Sequence, residues 1–245
     1  MAKRIVVASG KGGVGKSTLS AFLGRHLAFS GERVLLVDTD VALTSLDVML
    51  GVSERVIYNW FDAIEKRCEP SQALVEVNDR LSLLPAPFGA IREVEPEELS
   101  AVVLSLEEQF DFIILDAPAG LGAGLKRAAG SAERALIVAT SDAVSVKAAD
   151  RVAEVLSEVG VSQSRLIINR FRKKETQKGI LYNIDSIIDK TGVRLIGIVP
   201  EDFNIGYSSI AGRPFKEKSQ ALDAVDRIAA RLKGENRPLD LRKMK

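Results

Sequence analysis

Seven short runs of β-branched and aliphatic residues recur along the chain: Arg4–Ser9, Arg33–Val37, Leu81–Leu84, Phe112–Leu115, Ala135–Thr140, Arg165–Ile168 and Leu195–Val199. A strand written as a continuous apolar run is apolar on both faces, and only a sheet covered on both sides buries it. The intervening stretches supply the cover. Lys16–Ser30, Pro96–Glu108, Val144–Val159 and Ser219–Lys233 have helical apolar spacing, and Tyr58–Arg67 and Leu181–Lys190 read as shorter helices. Alternation of this kind predicts an α/β fold, a mostly parallel twisted sheet with helices on both faces. Strand signals span the whole length without a repeat or a long linker. One domain over residues 1–234 is therefore expected, with 235–245 as a flexible C-terminal tail.

The first strand runs straight into Gly10-Lys11-Gly12-Gly13-Val14-Gly15-Lys16-Ser17-Thr18, which fits G-x-x-x-x-G-K-[ST] and opens a helical pattern at once. The glycines let successive backbone N–H groups turn inward around phosphate oxygens, and the helix N-terminus adds positive potential. In this P-loop reading Lys16 touches the β- and γ-phosphates and the Ser17 hydroxyl coordinates Mg²⁺, so the expected ligand is Mg-ATP. Two more strands end in carboxylates. Phe112–Leu115 finishes at Asp116, a Walker B pattern for Mg²⁺, and Val34–Val37 finishes at Asp38 and Asp40, two residues apart and so on one face of an extended strand. Carboxyl ends of parallel strands are where such sheets bind ligands.

Lys11, directly after the first loop glycine, gives the deviant form K-G-G-x-G-K-[ST], and with it the chain resembles the MinD/ParA ATPases, MinD-like members most of all. The resemblance extends from residue 2 to about 233 through Val37-Asp38-Thr39-Asp40, Leu46–Gly51, Asp116-Ala117-Pro118-Ala119-Gly120, Ile168-Asn169-Arg170 and Ile198–Asp202. It implies the P-loop NTPase architecture and a weak ATPase in which two subunits sandwich two ATP molecules. Lys11 would reach the partner's phosphates, Asp40 would orient or deprotonate the attacking water, and Asp38 would support the first switch and the Mg²⁺ shell. Ala117–Gly120 would form the second switch. Asn169 would contact the adenine edge, with Arg170 and Pro200, Glu201 and Asp202 closing that pocket; an asparagine ending a strand is also an ordinary turn former. The implied role is spatial positioning, division-site selection on the MinD side, with an activating or effector protein as partner.

The alternative is a ParA-like partitioning factor that binds DNA nonspecifically. Arg170, Arg172, Lys173, Lys174 and Lys178 form the one dense basic run, which reads either as a solvated loop or as a phosphate contact. Bulk charge does not choose, since 34 Lys and Arg face 33 Asp and Glu. No apolar run approaches the ~20 residues of a membrane span. A signal peptide is not evident and the lone Cys68 cannot form an internal disulfide, so a cytoplasmic protein is expected. Peripheral contact with an anionic membrane surface would fall to the tail, through Leu239, Leu241 and Met244 and the cations Arg242, Lys243 and Lys245. His26 is read as helix surface or satisfied core, and Cys68, with no base near it in sequence, as carrying no nucleophilic chemistry. Trp60 and Phe61 are read as a helix face against the core, or as a partner surface.

Overall fold

Strands that are apolar on both faces find cover on both. The computed structural model describes residues 1–89, 92–210 and 219–239. In chain order the elements are β1 (Lys3–Ala8), α1 (Lys16–Phe29), β2 (Val34–Asp38), α2 (Leu46–Leu50), α3 (Trp60–Ile64), β3 (Val75–Asn78), β4 (Leu81–Leu84), α4 (Pro96–Ser105), β5 (Phe112–Asp116), α5 (Ala123–Ala129), β6 (Arg134–Ala139), α6 (Ala143–Glu158), β7 (Gln163–Phe171), α7 (Lys173–Gln177), α8 (Ile184–Thr191), β8 (Leu195–Pro200), α9 (Phe203–Ile210) and α10 (Gln220–Lys233). The strands form one sheet in the order β3-β4-β2-β5-β1-β6-β7-β8, parallel except for the β3–β4 pair. Along β1, Val6 and Ala8 enter the core on one face while Ile5 and Val7 enter the core on the other.

This topology places the site. The chain leaves β1 towards β2 on one side and later crosses to β6 on the other, so the loop after β1 sits at the switch point, over the carboxyl ends of the central strands. At the opposite end, Lys3 Nζ donates to the Leu232 and Lys233 carbonyls and ties the start of β1 to the end of α10. Ser219 caps α10 by accepting from the Ala221 and Leu222 N–H groups, and Gly234 ends it at φ 102°. Beyond it, Arg231 Nε donates to the Arg237 carbonyl at 2.8 Å, and Leu239 is exposed. Leu241, Arg242, Lys243, Met244 and Lys245 lie outside the described residues.

Several elements differ from the sequence reading. The expected helix over Tyr58–Arg67 shrinks to α3, because Asn59 and Asp62 form a capping box at its start and Lys66 turns left-handed at φ 58°. The expected helix over Leu181–Lys190 begins only at Ile184, where the Asn183 side chain accepts from the Ser186 N–H. Part of the basic run, for which a solvated loop is one of the two readings, is the short helix α7, and α2, α5 and α9 are further helices. The antiparallel edge strand β3 was also not anticipated; it is four residues long and half exposed, so it carries no strong apolar run.

Candidate nucleotide-binding site

The loop from Gly10 to Gly15 joins β1 to α1 and makes the floor of a cavity of about 600 Å³ at the sheet's carboxyl edge. A Cβ at Gly12 or Gly13 would meet nothing within 4 Å, so the loop faces open space there. At Gly10 a Cβ would come within 2.6 Å of the Ala148 carbonyl, so only glycine lets α6 pack against the loop. Gly15 precedes α1 at φ 87° and offers no side-chain cap, which leaves the helix's first N–H groups available to an anion. Lys16 is buried inside this bend. Its Nζ lies 3.0 Å from Asp116 Oδ1 and donates to Ser17 Oγ at 3.2 Å. Val14, Ser17 and Thr18 line the same cavity.

Asp38 and Asp116 face each other in register at the ends of β2 and β5, both fully buried. Their surroundings separate their roles. Asp38 accepts backbone N–H bonds from Asp40 on one oxygen and from Ser45 and Leu46 on the other, at 3.0–3.2 Å. Burial, and then the Asp116 charge, push its pKa up to about 7 in spite of those donors. Asp116 Oδ1 accepts from Ser20 Oγ at 2.7 Å, while Oδ2 is buried without a partner. An orphaned carboxylate oxygen beside a serine hydroxyl suits a hard divalent cation. Among the described residues no group of three His, Cys, Asp or Glu side chains could hold a metal, so phosphate and water would complete such a shell. Asp40 lines the cavity and accepts from the Ala42 and Leu43 N–H groups at 3.1 Å.

The other sequence-predicted residues gather around the loop. Lys11 pairs with Asp142 of its own chain at 3.0 Å, both side chains partly exposed. Asn169, 7% exposed, donates Nδ2 to the Val14 carbonyl at 2.7 Å. Arg170 Nη1 donates to the Gly13 carbonyl at 3.1 Å, and its Nε and Nη2 reach Glu201 Oε1 at 3.0 and 2.8 Å. Pro200, Glu201 and Asp202 line the cavity wall, where Asp202 accepts from the Asn204 N–H at the start of α9.

The structure adds residues the sequence reading missed. Ser20 stands one helical turn after Lys16, a spacing that could have placed it beside the Asp116 carboxylate. Asp142 ends the segment after β6 and caps α6. Trp60 is fully buried, as the core reading expected, but its Nε1 also donates to the Asp38 carbonyl, and the Arg127 guanidinium lies 5.5 Å from its ring centre while reaching the Thr39 carbonyl. The Asp38–Asp40 turn is thus braced from below, and no local pattern announces that. Phe203 and Tyr207 stand exposed on α9 at the cavity wall.

Comparison with known proteins agrees with this geometry. The family described as CobQ/CobB/MinD/ParA nucleotide binding domain matches residues 5–215. The septum site-determining protein MinD of Bacillus subtilis (strain 168) is 40% identical over 248 residues, covering 98% of this chain and 92% of that protein. In the solved MinC:MinD cell division protein complex of Aquifex aeolicus, one chain superposes at TM-score 0.91 with 35% identity and 98% coverage of both chains. MinD of Pyrococcus horikoshii OT3, solved with Mg-ADP, superposes at TM-score 0.86 with 28% identity, covering 95% of this chain and 96% of that one. With the phosphate loop, the two strand-end carboxylates and these full-length matches together, the chain belongs to the MinD/ParA family of nucleotide-binding domains, on its MinD-like side.

Proposed function

We propose that this protein is a weak Mg-dependent ATPase whose ATP-bound form pairs two subunits, and that this switch serves placement of the division septum. The observation that carries the reading is the buried Lys16–Asp116–Ser20 cluster beneath an open glycine loop, with Asp116 Oδ2 left unpartnered. Bound Mg²⁺ would supply charge neutralisation of the β- and γ-oxygens. Ser17 and Asp116 would hold it, and Asp38, its oxygens taken by backbone donors, would act through the turn it fixes.

Lys16 would place its ammonium on the transferring phosphate, and Asp40 would orient water at the cavity mouth. The two strand ends are physically joined. Thr39 donates both its N–H and its Oγ1–H to the Asp116 carbonyl, at 3.1 and 2.8 Å, and the Gly120 N–H donates to the Ser9 carbonyl at 2.9 Å. A γ-phosphate that moves one segment would therefore move the other. Lys11 would have to exchange Asp142 for the phosphates of a second subunit. A half-exposed ion pair is worth only about 0–1 kcal/mol, so that exchange is cheap.

The relatives named for septum placement favour this role over DNA partitioning. The Aquifex aeolicus complex makes a MinC-like protein the first candidate partner. No helix among the described residues is long and apolar enough to cross a membrane. We place the protein in the cytoplasm, reaching the inner face of the membrane through its tail when paired. Sedimentation velocity of the full chain tests the switch: a dimer with Mg-ATP and a monomer with Mg-ADP are expected, and one mass in both states refutes it.

A further inference from the structure

We propose that Asn169 and Arg170 are positioning residues that shape the phosphate loop from behind, before any nucleotide arrives, by holding the Val14 and Gly13 carbonyls. The proposal deepens the nucleotide reading and rests on it. It differs from the expectation that these two residues serve the base.

Consecutive residues of a regular strand point to opposite faces, so Asn169 and Arg170 should diverge. They converge because β7 bulges. Ile168 pairs with Ile198 and Phe171 with Pro200, three steps along β7 against two along β8, and Arg170 takes the left-handed conformation at φ 53°. A non-glycine residue in that region is costly and is kept where the surroundings demand it. The bulge turns the Asn169 amide onto the Val14 carbonyl at 2.7 Å and the Arg170 guanidinium onto the Gly13 carbonyl at 3.1 Å. Glu201 grips the far side of that guanidinium on Oε1, and Arg172 Nε lies 3.4 Å from its Oε2.

The chemistry of the peptide supplies the consequence. The C=O of one residue and the N–H of the next lie in one plane and point in opposite directions. Fixing the Gly13 and Val14 carbonyls against β7 therefore turns the Val14 and Gly15 N–H groups away from β7, the orientation an anion cradle requires. The fit leaves no slack, since a Cβ on Gly15 would lie 2.4 Å from Asn169 Nδ2.

The test measures two quantities on the full-length protein: the unfolding midpoint without nucleotide, and the affinity for Mg-ATP by calorimetry. Asn169→Ala and Arg170→Ala are the variants, the second chosen because alanine bears the same left-handed backbone cost as arginine while losing the guanidinium and its stem. Both should lower the nucleotide-free midpoint by about 3 °C or more and weaken Mg-ATP about tenfold or more. Arg170→Lys, which reaches Gly13 or Glu201 but not both, should recover part of the affinity. A lowered midpoint with unchanged affinity would make the contacts merely structural and overturn the proposal. Lost affinity with an unchanged midpoint would return both residues to reading the nucleotide, and overturns it equally; so does no change in either. If the unsubstituted protein fails to bind Mg-ATP, the nucleotide reading falls, and the midpoints still show whether the brace exists.

Discussion

Replacing Gly15 by alanine puts the packing of the phosphate loop to a quantitative test. At φ 87° an L-residue costs about 1–2 kcal/mol. The new Cβ would also lie 2.4 Å from Asn169 Nδ2, and that amide, itself buried, can yield only by giving up its bond to the Val14 carbonyl. A buried donor left without its partner costs about 1–3 kcal/mol. The stiffer unfolded chain returns about 0.4–1 kcal/mol. The balance is a destabilisation of about 2–4 kcal/mol, and at about 2–4 °C per kcal/mol for a chain of this size the nucleotide-free midpoint should fall by about 5–15 °C. Gly31→Ala is the control: its φ is 99°, but its Cβ meets nothing within 4 Å. That change should lower the midpoint by no more than about 4 °C, since only the backbone term acts. In an Asn169→Ala background the collision is gone and Gly15→Ala should cost no more than the control, a coupling of about 1–3 kcal/mol in a double-mutant cycle. Differential scanning calorimetry supplies all five midpoints. If Gly15→Ala proves no worse than Gly31→Ala, the contact between loop and β7 is not as described.

Lys16→Ala removes the ammonium beside Asp116 and leaves that carboxylate buried without its cation, so Mg-ATP binding should be lost in calorimetry; parental affinity would sink the phosphate assignment. With Mg-ATP, Asp40→Ala should accumulate as a dimer while Lys11→Ala binds nucleotide and stays monomeric, which light scattering separates; dimers of both that hydrolyse normally would refute the cross-subunit sandwich. Asp38, raised from 3.8 to about 7, makes the folded state bind a proton the unfolded state lacks between those values, so nucleotide-free stability should fall as pH rises through that window and stay low above it. Asp38→Asn cannot titrate, and its stability should decline less over that range, by on the order of 4 kcal/mol at most; parallel curves of unfolding free energy against pH would discard the shift. Deleting residues 235–245 should abolish binding to anionic vesicles while leaving ATP-dependent dimerisation intact; a truncated protein that still binds lipid would move the anchor elsewhere.

Legibility in the sequence followed locality. The phosphate loop reads directly because its chemistry is contiguous, and Asp38, Asp40 and Asp116 read because a strand's end is marked by the end of its apolar run. All seven anticipated strands lie in the sheet. What escaped depends on partners far apart in the chain. The Trp60 bond to the Asp38 carbonyl, the Lys11 pair with Asp142 and the grip of Arg170 on Gly13 join residues 22, 131 and 157 positions apart. Short helices such as α2, α5 and α7 escaped for another reason: five to seven residues make too few turns for an apolar stripe to stand out. Asn169 shows both limits at once: the resemblance implied an adenine contact and the residue type an ordinary turn, while its bond to the Val14 carbonyl comes through a bulge that no local pattern encodes.

The tie between Lys3 and the last carbonyls of α10 fixes where the tail departs. Lys3 begins β1 and the phosphate loop follows its end, so the six residues of that strand, at about 3.3 Å each, stand between them. Some 20 Å of packed sheet thus separates the tail's root from the phosphate loop. In the proposed pairing of two subunits by ATP, what nucleotide would change is arithmetic, the number of tails carried by one particle, and avidity grows with that number without any new contact. Transplanting the segment after Gly234 onto an unrelated dimer should then transfer the surface attachment whole, with the nucleotide dependence left behind.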